Sequence, residues 1–428
     1  MAFVRLTRRD RTVVRDDIPR RGVFAALRIR DFRWWFFVQI FSASGTMTQA
    51  VGQSWLVIKL GGNGVELALL TAAISAPVLL GGAAGGALVD RVDRRLVLLV
   101  TQSAFLAIGG VLAVLTITGT ITMWMLYATA LAAGIVTTVD APARQVYVID
   151  LVGRSNLASA IGLYEVVLNA ARVLGPAVGG ALLATAGVAS CFLFNAIAFV
   201  PAVIVLVFHR RTPGVAYVRP AQKVSIRSGI RYSWGHPSIR SCLILAATAG
   251  MLFNLGVTAP LLATKVFHLG GGGYGAMNAA FGVGALFGAF AAATGVRTPS
   301  GRQVRLLAVL TGAGVLLTAA APNPVTLFAG LAVAGFLSIW FVAVANTVAQ
   351  MRSAPEMRGR VMGVWNMALP GMNPLTGLAS GSVADAFGAR SGFGLSGVVF
   401  FCTAAMTWRA LAESGTPHDE VTQVYQPE

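Results

Sequence analysis

The chain has 428 residues, of which 56% are hydrophobic and 11% charged, too little polar surface to cover a water-soluble globule of this size. A formal charge of +17 would suit a nucleic-acid partner if it lay on one soluble face, but the Lys and Arg residues fall between apolar runs. Together these facts exclude a soluble enzyme and a nucleic-acid binder, and make lipid the main solvent.

Runs long enough to cross ~30 Å of hydrocarbon recur along the chain. The reading predicts about twelve, at 33–58, 66–89, 96–119, 122–142, 157–184 and 188–208, then 240–264, 274–295, 304–321, 324–350, 360–387 and 392–411. The first thirty residues carry nine arginines, which raises a cleaved signal peptide, but the apolar run continues to Ile58 and favours a retained span.

In the first run Gln39, Ser42, Thr46, Gln49 and Gln53 follow a three-four spacing that puts all five on one helix face. Hydrogen bonding between helices and the wall of a central cavity both explain such a stripe, and both turn it away from lipid. The second run ends in GGALVDRVDRR, where Asp90 stands beside Arg91, Arg94 and Arg95 in a short loop, a candidate charged latch; Thr137, Asp140 and Arg144 form a similar cluster on the fourth.

The fifth run is the most informative. Arg172 lies near its middle, where an unpaired charge costs on the order of 3 kcal/mol or more. Glu165, Asn169 and Arg172 share one side, with Glu165 and Arg172 roughly 10 Å apart along the axis, too far to pair directly. A structural ion pair with another helix competes here with a polar site for substrate or proton. Ala171, Gly175 and Gly179 make a small-xxx-small face, and Pro176 can bend the backbone.

Residues 209–239 form the longest polar stretch and divide the runs six and six. The expected organisation is a basic segment 1–32, a six-helix bundle 33–208, a linker 209–239, a second bundle 240–411 and a tail 412–428. Short cytoplasmic loops retain Lys and Arg. With the N-terminus inside, the opposite side receives only Lys59, Lys265 and Arg390, so both termini are expected in the cytoplasm of a bacterial inner membrane.

The two halves also carry a weak repeat. Aligning 160–187 with 361–388 superposes Gly162, Gly180 and Gly187 on Gly363, Gly381 and Gly388, Tyr164 on Trp365, and Glu165 and Arg172 on Asn366 and Asn373. There is no Walker-type phosphate loop, no metal-ligand spacing among His209, His236, His268 and His418, and no nucleophile motif; Cys191, Cys242 and Cys402 read as packing residues. No cofactor, no metal and no enzymatic activity are expected.

These residues resemble the major facilitator superfamily, over about 28–411. GGALVDRVDRR is similar to its loop signature between helices 2 and 3, matching at Gly86, Leu88, Asp90, Arg91, Arg94 and Arg95, with Asp93 in place of the second glycine. The resemblance implies two six-helix bundles around a central cavity, and a cytoplasmic gate in which Asp90 pairs with Arg144 and the segment Arg358 to Arg360. Gly162, Gly175, Pro176, Gly179 and Gly180 resemble the antiporter signature on helix 5 of drug exporters, with Ala171 replacing one glycine, which implies outward transport. The stretches 142–163 and 226–240 look like the branch containing the enterobactin exporter and macrolide efflux proteins.

The resulting expectation is an all-α, monomeric exporter of small amphipathic molecules, coupled to protons. Glu165 would carry the proton, and Asp140 is the alternative carrier, because the first run holds no acid. Arg172 would hold Glu165 ionised or contact anionic substrate groups, with Asn169, Asn366, Asn373 and Gln49 lining the cavity. An importer or facilitator of the same superfamily and a non-transporting membrane sensor or scaffold are the competing readings.

Overall fold

The computed structural model describes residues 24–89, 91–153, 156–208, 226–294 and 299–412, all helix, turn or coil. After a 3-10 turn at Ala25–Arg28 come α1 (Arg30–Lys59), α2 (Gly64–Val89), α3 (Arg94–Ile117), α4 (Met123–Val152), α5 (Leu157–Thr185) and α6 (Val188–Phe208). Past the undescribed part of the linker follow α7 (Ile226–Gly235), α8 (Pro237–Ala249), α9 (Leu255–Leu261), α10 (Gly271–Thr294), α11 (Gly301–Ala319), α12 (Pro324–Met351), α13 (Arg358–Gly371), α14 (Asn373–Phe387), α15 (Ala389–Met406) and α16 (Trp408–Ala412).

All twelve expected runs are helical, and ten described helices are long and apolar enough to cross a membrane. The shortfall has two physical causes. In α1 the Gln, Ser and Thr stripe lowers the apolarity of a helix of ample length. The run at 360–387 is broken: Pro374 lacks an N–H and crowds the turn before it, so α13 stops at Gly371 and α14 restarts at Asn373. The seventh run also bends, through a 3-10 turn at Gly250–Phe253 between α8 and α9.

α1 to α6 pack on one another, as do α8 to α15, and the two sets meet chiefly where α5 lies against α10 and α2 against α14. The repeat is visible in these contacts. A Cβ on Gly180 would meet the backbone of Gly275, and a Cβ on its repeat-mate Gly381 would meet the backbone of Gly64. In each case a glycine of the repeated segment meets the backbone of a helix from the other set. Gly187 and Gly388 both end their helices with positive φ, +80° and +92°, which glycine adopts without the Cβ penalty.

The close contacts between the halves run from mid-helix to one end. They involve Ser54 and Trp55 at the end of α1, Gly64 at the start of α2, Arg172 to Ala184 in α5, Gly271 to Gly282 in α10, and Gly381 in α14. Trp55 stacks on Tyr274 across the same seam, with centroids 5.9 Å apart. This end is closed. Lys59, Lys265 and Arg390 lie there, whereas Arg94, Arg95, Arg302, Arg305, Arg358 and Arg360 lie at the opposite end, open in that no such glycine contact joins the halves there among the described residues.

Candidate translocation site

The faces of α5 can be assigned from what each turn touches. Gly175 packs on Ser44 and Met47 and Gly179 on Val51, so this face meets α1; Val173, Pro176 and Gly180 meet Gly282 and Gly275 of α10. At 100° per residue, Glu165, Asn169 and Arg172 fall in the wedge between those two faces. The wedge lies between an own-bundle helix and a helix of the other half, so the three side chains point into the space between the halves. The remaining sector carries Val166 and Leu174, exposed and apolar, as a lipid-facing surface requires.

The three residues form a chain. Asn169 Nδ2 donates to the Glu165 carbonyl at 2.9 Å, and Arg172 Nη1 donates to Asn169 Oδ1 at 3.0 Å. Arg172 takes part in no described ion pair, and Glu165 likewise in none. Pro176, lacking an N–H, frees the Arg172 carbonyl, and the absence of a side chain at Gly282 lets α10 approach it. Toward the open end, Glu165 and Tyr164 join Leu157 and Ile161 of α5 and Gln145, Val148 and Ile149 of α4 around a mostly apolar pocket, the lining expected for an amphipathic ligand.

The other expected cavity residues part company. Gln49 is 6% exposed and accepts a hydrogen bond from Asn195 Nδ2 of α6 at 2.6 Å, so its polar end is turned into its own bundle. Asn373 opens α14 at the helix break; its carbonyl accepts from Asn254 Nδ2, which also donates to Thr376 Oγ1 at 2.7 Å, while Asn373 Oδ1 has no partner among the described residues. Asn366 lies on α13, one turn before that break.

A second polar cluster sits inside the first half. Asp140 is 3% exposed; it pairs with Arg144 one turn on and accepts from Thr101 Oγ1 and Gln102 Nε2 of α3, both at 2.7 Å. Arg144 Nη1 in turn donates to Gln39 Oε1 of α1 at 2.8 Å. A buried charge needs this density of partners. Thr137 instead bonds the Ala133 carbonyl of its own helix.

Of the expected gate, Asp90 lies outside the described residues, and a Cβ at Gly86 would meet open space. Arg94 pairs with Asp150 at 2.9 Å, tying α3 to α4, and Arg95 donates to the Leu206 and Val207 carbonyls at the end of α6. Asp93, the departure from the loop signature, accepts from the Arg95 and Leu96 amides as the N-cap of α3. Arg91 is exposed, Arg358 Nε donates to the Ser353 carbonyl, and Arg360 Nη1 reaches Met357 S. Both described ion pairs lie within the first half, so none of them crosses between the halves. In the helix 5 motif, Gly175, Gly179 and Gly180 make the close contacts described, whereas Gly162 faces open space.

Helices of membrane-spanning length in two mutually packed sets, with a polar face held between them, define a multi-pass membrane transporter. Residues 21–425 match the family described as transmembrane secretion effector, and the chain belongs to that family of the major facilitator superfamily. It is 27% identical over 371 residues to the multidrug efflux pump Tap of Mycolicibacterium fortuitum, covering 83% of this chain and 90% of Tap. It is 26% identical over 365 residues to the staphyloferrin A transporter of Staphylococcus aureus, covering 84% and 90%. Among solved structures, a bacterial homologue of the human lysosomal transporter Spinster, in an inward-facing and unoccupied conformation, superposes with a TM-score of 0.72 at 15% identity, over 90% of this chain and 98% of that one. Membership of this family makes the chain a transporter and not an enzyme.

Proposed function

We propose that this protein exports small amphipathic organic molecules across the bacterial cytoplasmic membrane in exchange for protons, as a monomer with both termini inside. α1 and the broken α13–α14 pair serve as spans one and eleven of twelve, and the units 33–208 and 240–411 rock about the site, joined by the linker 209–239. The observation that carries this reading is the Glu165–Asn169–Arg172 face in the wedge between α1 and α10, polar where the lipid-facing sector of α5, with Val166 and Leu174, is apolar. Support for export comes from relatives that are a multidrug efflux pump and a staphyloferrin A transporter, and from the packed helix 5 motif.

The open end carries the arginines, which orients it toward the cytoplasm. Glu165, reachable from that end through the apolar pocket, releases its proton inside as substrate loads beside Arg172. Arg172 meets acidic groups of the substrate. After the halves rock, Glu165 reprotonates from outside and substrate departs.

The test is transport in proteoliposomes with an imposed pH gradient, using rhodamine 6G and carboxyfluorescein as cationic and anionic amphipathic probes. Export by antiport predicts that probe accumulates on the acidic side and that nigericin abolishes the accumulation. Accumulation on the alkaline side identifies an importer, and a protein that moves neither probe nor protons contradicts the proposal.

A further inference from the structure

At the closed end a carboxylate of one half is bonded to the backbone of the other. Asp385, on the last turns of α14, accepts from the Gly64 amide at 2.8 Å through one oxygen and from the Val65 amide at 3.0 Å through the other. Those amides are the first two of α2, the positive end of a helix whose opening N–H groups have no intrahelical acceptor.

α2 does not need this carboxylate to form. Asn63 Oδ1 already accepts from the Val65 amide at 2.9 Å and the Glu66 amide at 3.2 Å, and Glu66 reaches back to the Asn63 amide. That is a complete capping box within α2's own sequence. The amide that Asp385 alone serves is that of Gly64, so the contact adds a tie between the halves to a helix that is already capped.

Its position fits that role. One turn before Asp385, Gly381 meets Gly64 backbone to backbone, an approach that a Cβ on either would obstruct. The tie therefore closes only when α14 and α2 are fully together, and it has to break whenever they part. The charged groups around it are otherwise engaged: Glu66 bonds Asn63, and Arg390 donates to the Ala319 carbonyl and lies over the Phe267 ring.

We infer that Asp385 is a latch which holds the closed end shut by capping α2 across the seam, and that its release accompanies each opening of that end. Only the assignment of this end to the outside rests on the orientation proposed above; the latch does not.

The experiment is pulsed electron spin resonance on the full chain, with Cys402 replaced by Ser and labels at Thr120→Cys and Ala320→Cys, exposed turn positions of the two halves at the closed end. The unmodified latch gives a dominant short-distance population. Asp385→Ala is expected to lower that population at least threefold in favour of a longer distance, and Asp385→Asn, which keeps one acceptor, to fall between. Circular dichroism and thermal unfolding establish that the compared proteins are folded. Unchanged distances in folded Asp385→Ala overturn the inference; should that variant not fold, unchanged distances in Asp385→Asn overturn it equally. The readout is indifferent to which face is outside, so its failure leaves the orientation and the transport reading untouched.

Discussion

Gly180 of α5 and Gly275 of α10 are in backbone contact: a Cβ on Gly180 would lie 2.6 Å from the Gly275 Cα, closer than packed atoms approach. The halves can meet there only without side chains. Gly180→Val is therefore expected to lose the closed arrangement by overpacking of about 1–3 kcal/mol. Crosslinking between cysteines at Ala184 and Gly272, whose Cβ positions also face one another, checks this: the variant should crosslink several-fold more slowly, and an unchanged rate would show that the contact is not limiting.

Asp140 and Arg144 make a buried pair whose members each have further partners. Asp140→Asn leaves the guanidinium without its counter-charge inside the first half, at a cost of about 3–5 kcal/mol. A drop in thermal unfolding temperature should be partly reversed by adding Arg144→Gln, since the two sites are coupled. Independent, additive effects would argue against the pairing.

The all-helical, membrane-spanning character was legible because lipid imposes long apolar runs, ten of which are described helices long and apolar enough to cross a membrane. The glycine repeat was legible too, faint in sequence but exact in register once Gly180 and Gly381 are seen against Gly275 and Gly64. Side-chain partners were not. Thr101, Gln102 and Gln39 surround the Asp140–Arg144 pair from helices 35 or more residues away, and a helical face does not say which neighbour it meets. The same limit hid the turn of Gln49 toward Asn195. Asp385 gave no signal, because an acid at a helix end reads as an ordinary boundary.

Arg95 and Arg91, two members of one loop signature, have different surroundings. Arg95 serves two terminal carbonyls of α6, so Arg95→Ala should destabilise by about 1 kcal/mol. Arg91 is exposed, and Arg91→Ala should stay within about 0.5 kcal/mol of the parent. Chemical unfolding of both variants in detergent distinguishes them; equal losses would contradict the assignment.

If Arg172 meets acidic groups of the substrate, its removal discriminates between probes. Arg172→Ala should slow carboxyfluorescein transport about tenfold to a hundredfold, the loss of one charge-assisted hydrogen-bonded contact of about 1.5–3 kcal/mol. Rhodamine 6G should change by less than about threefold. Equal losses for both probes would assign Arg172 to packing.

Glu165 as the proton carrier is the claim on which the rest turns, and comparing two modes of flux in Glu165→Gln tests it most directly. The account predicts that probe exchange across proteoliposomes without a gradient persists, while accumulation driven by an imposed pH gradient is lost. Gradient-driven accumulation at the parent rate in a folded Glu165→Gln protein would contradict it.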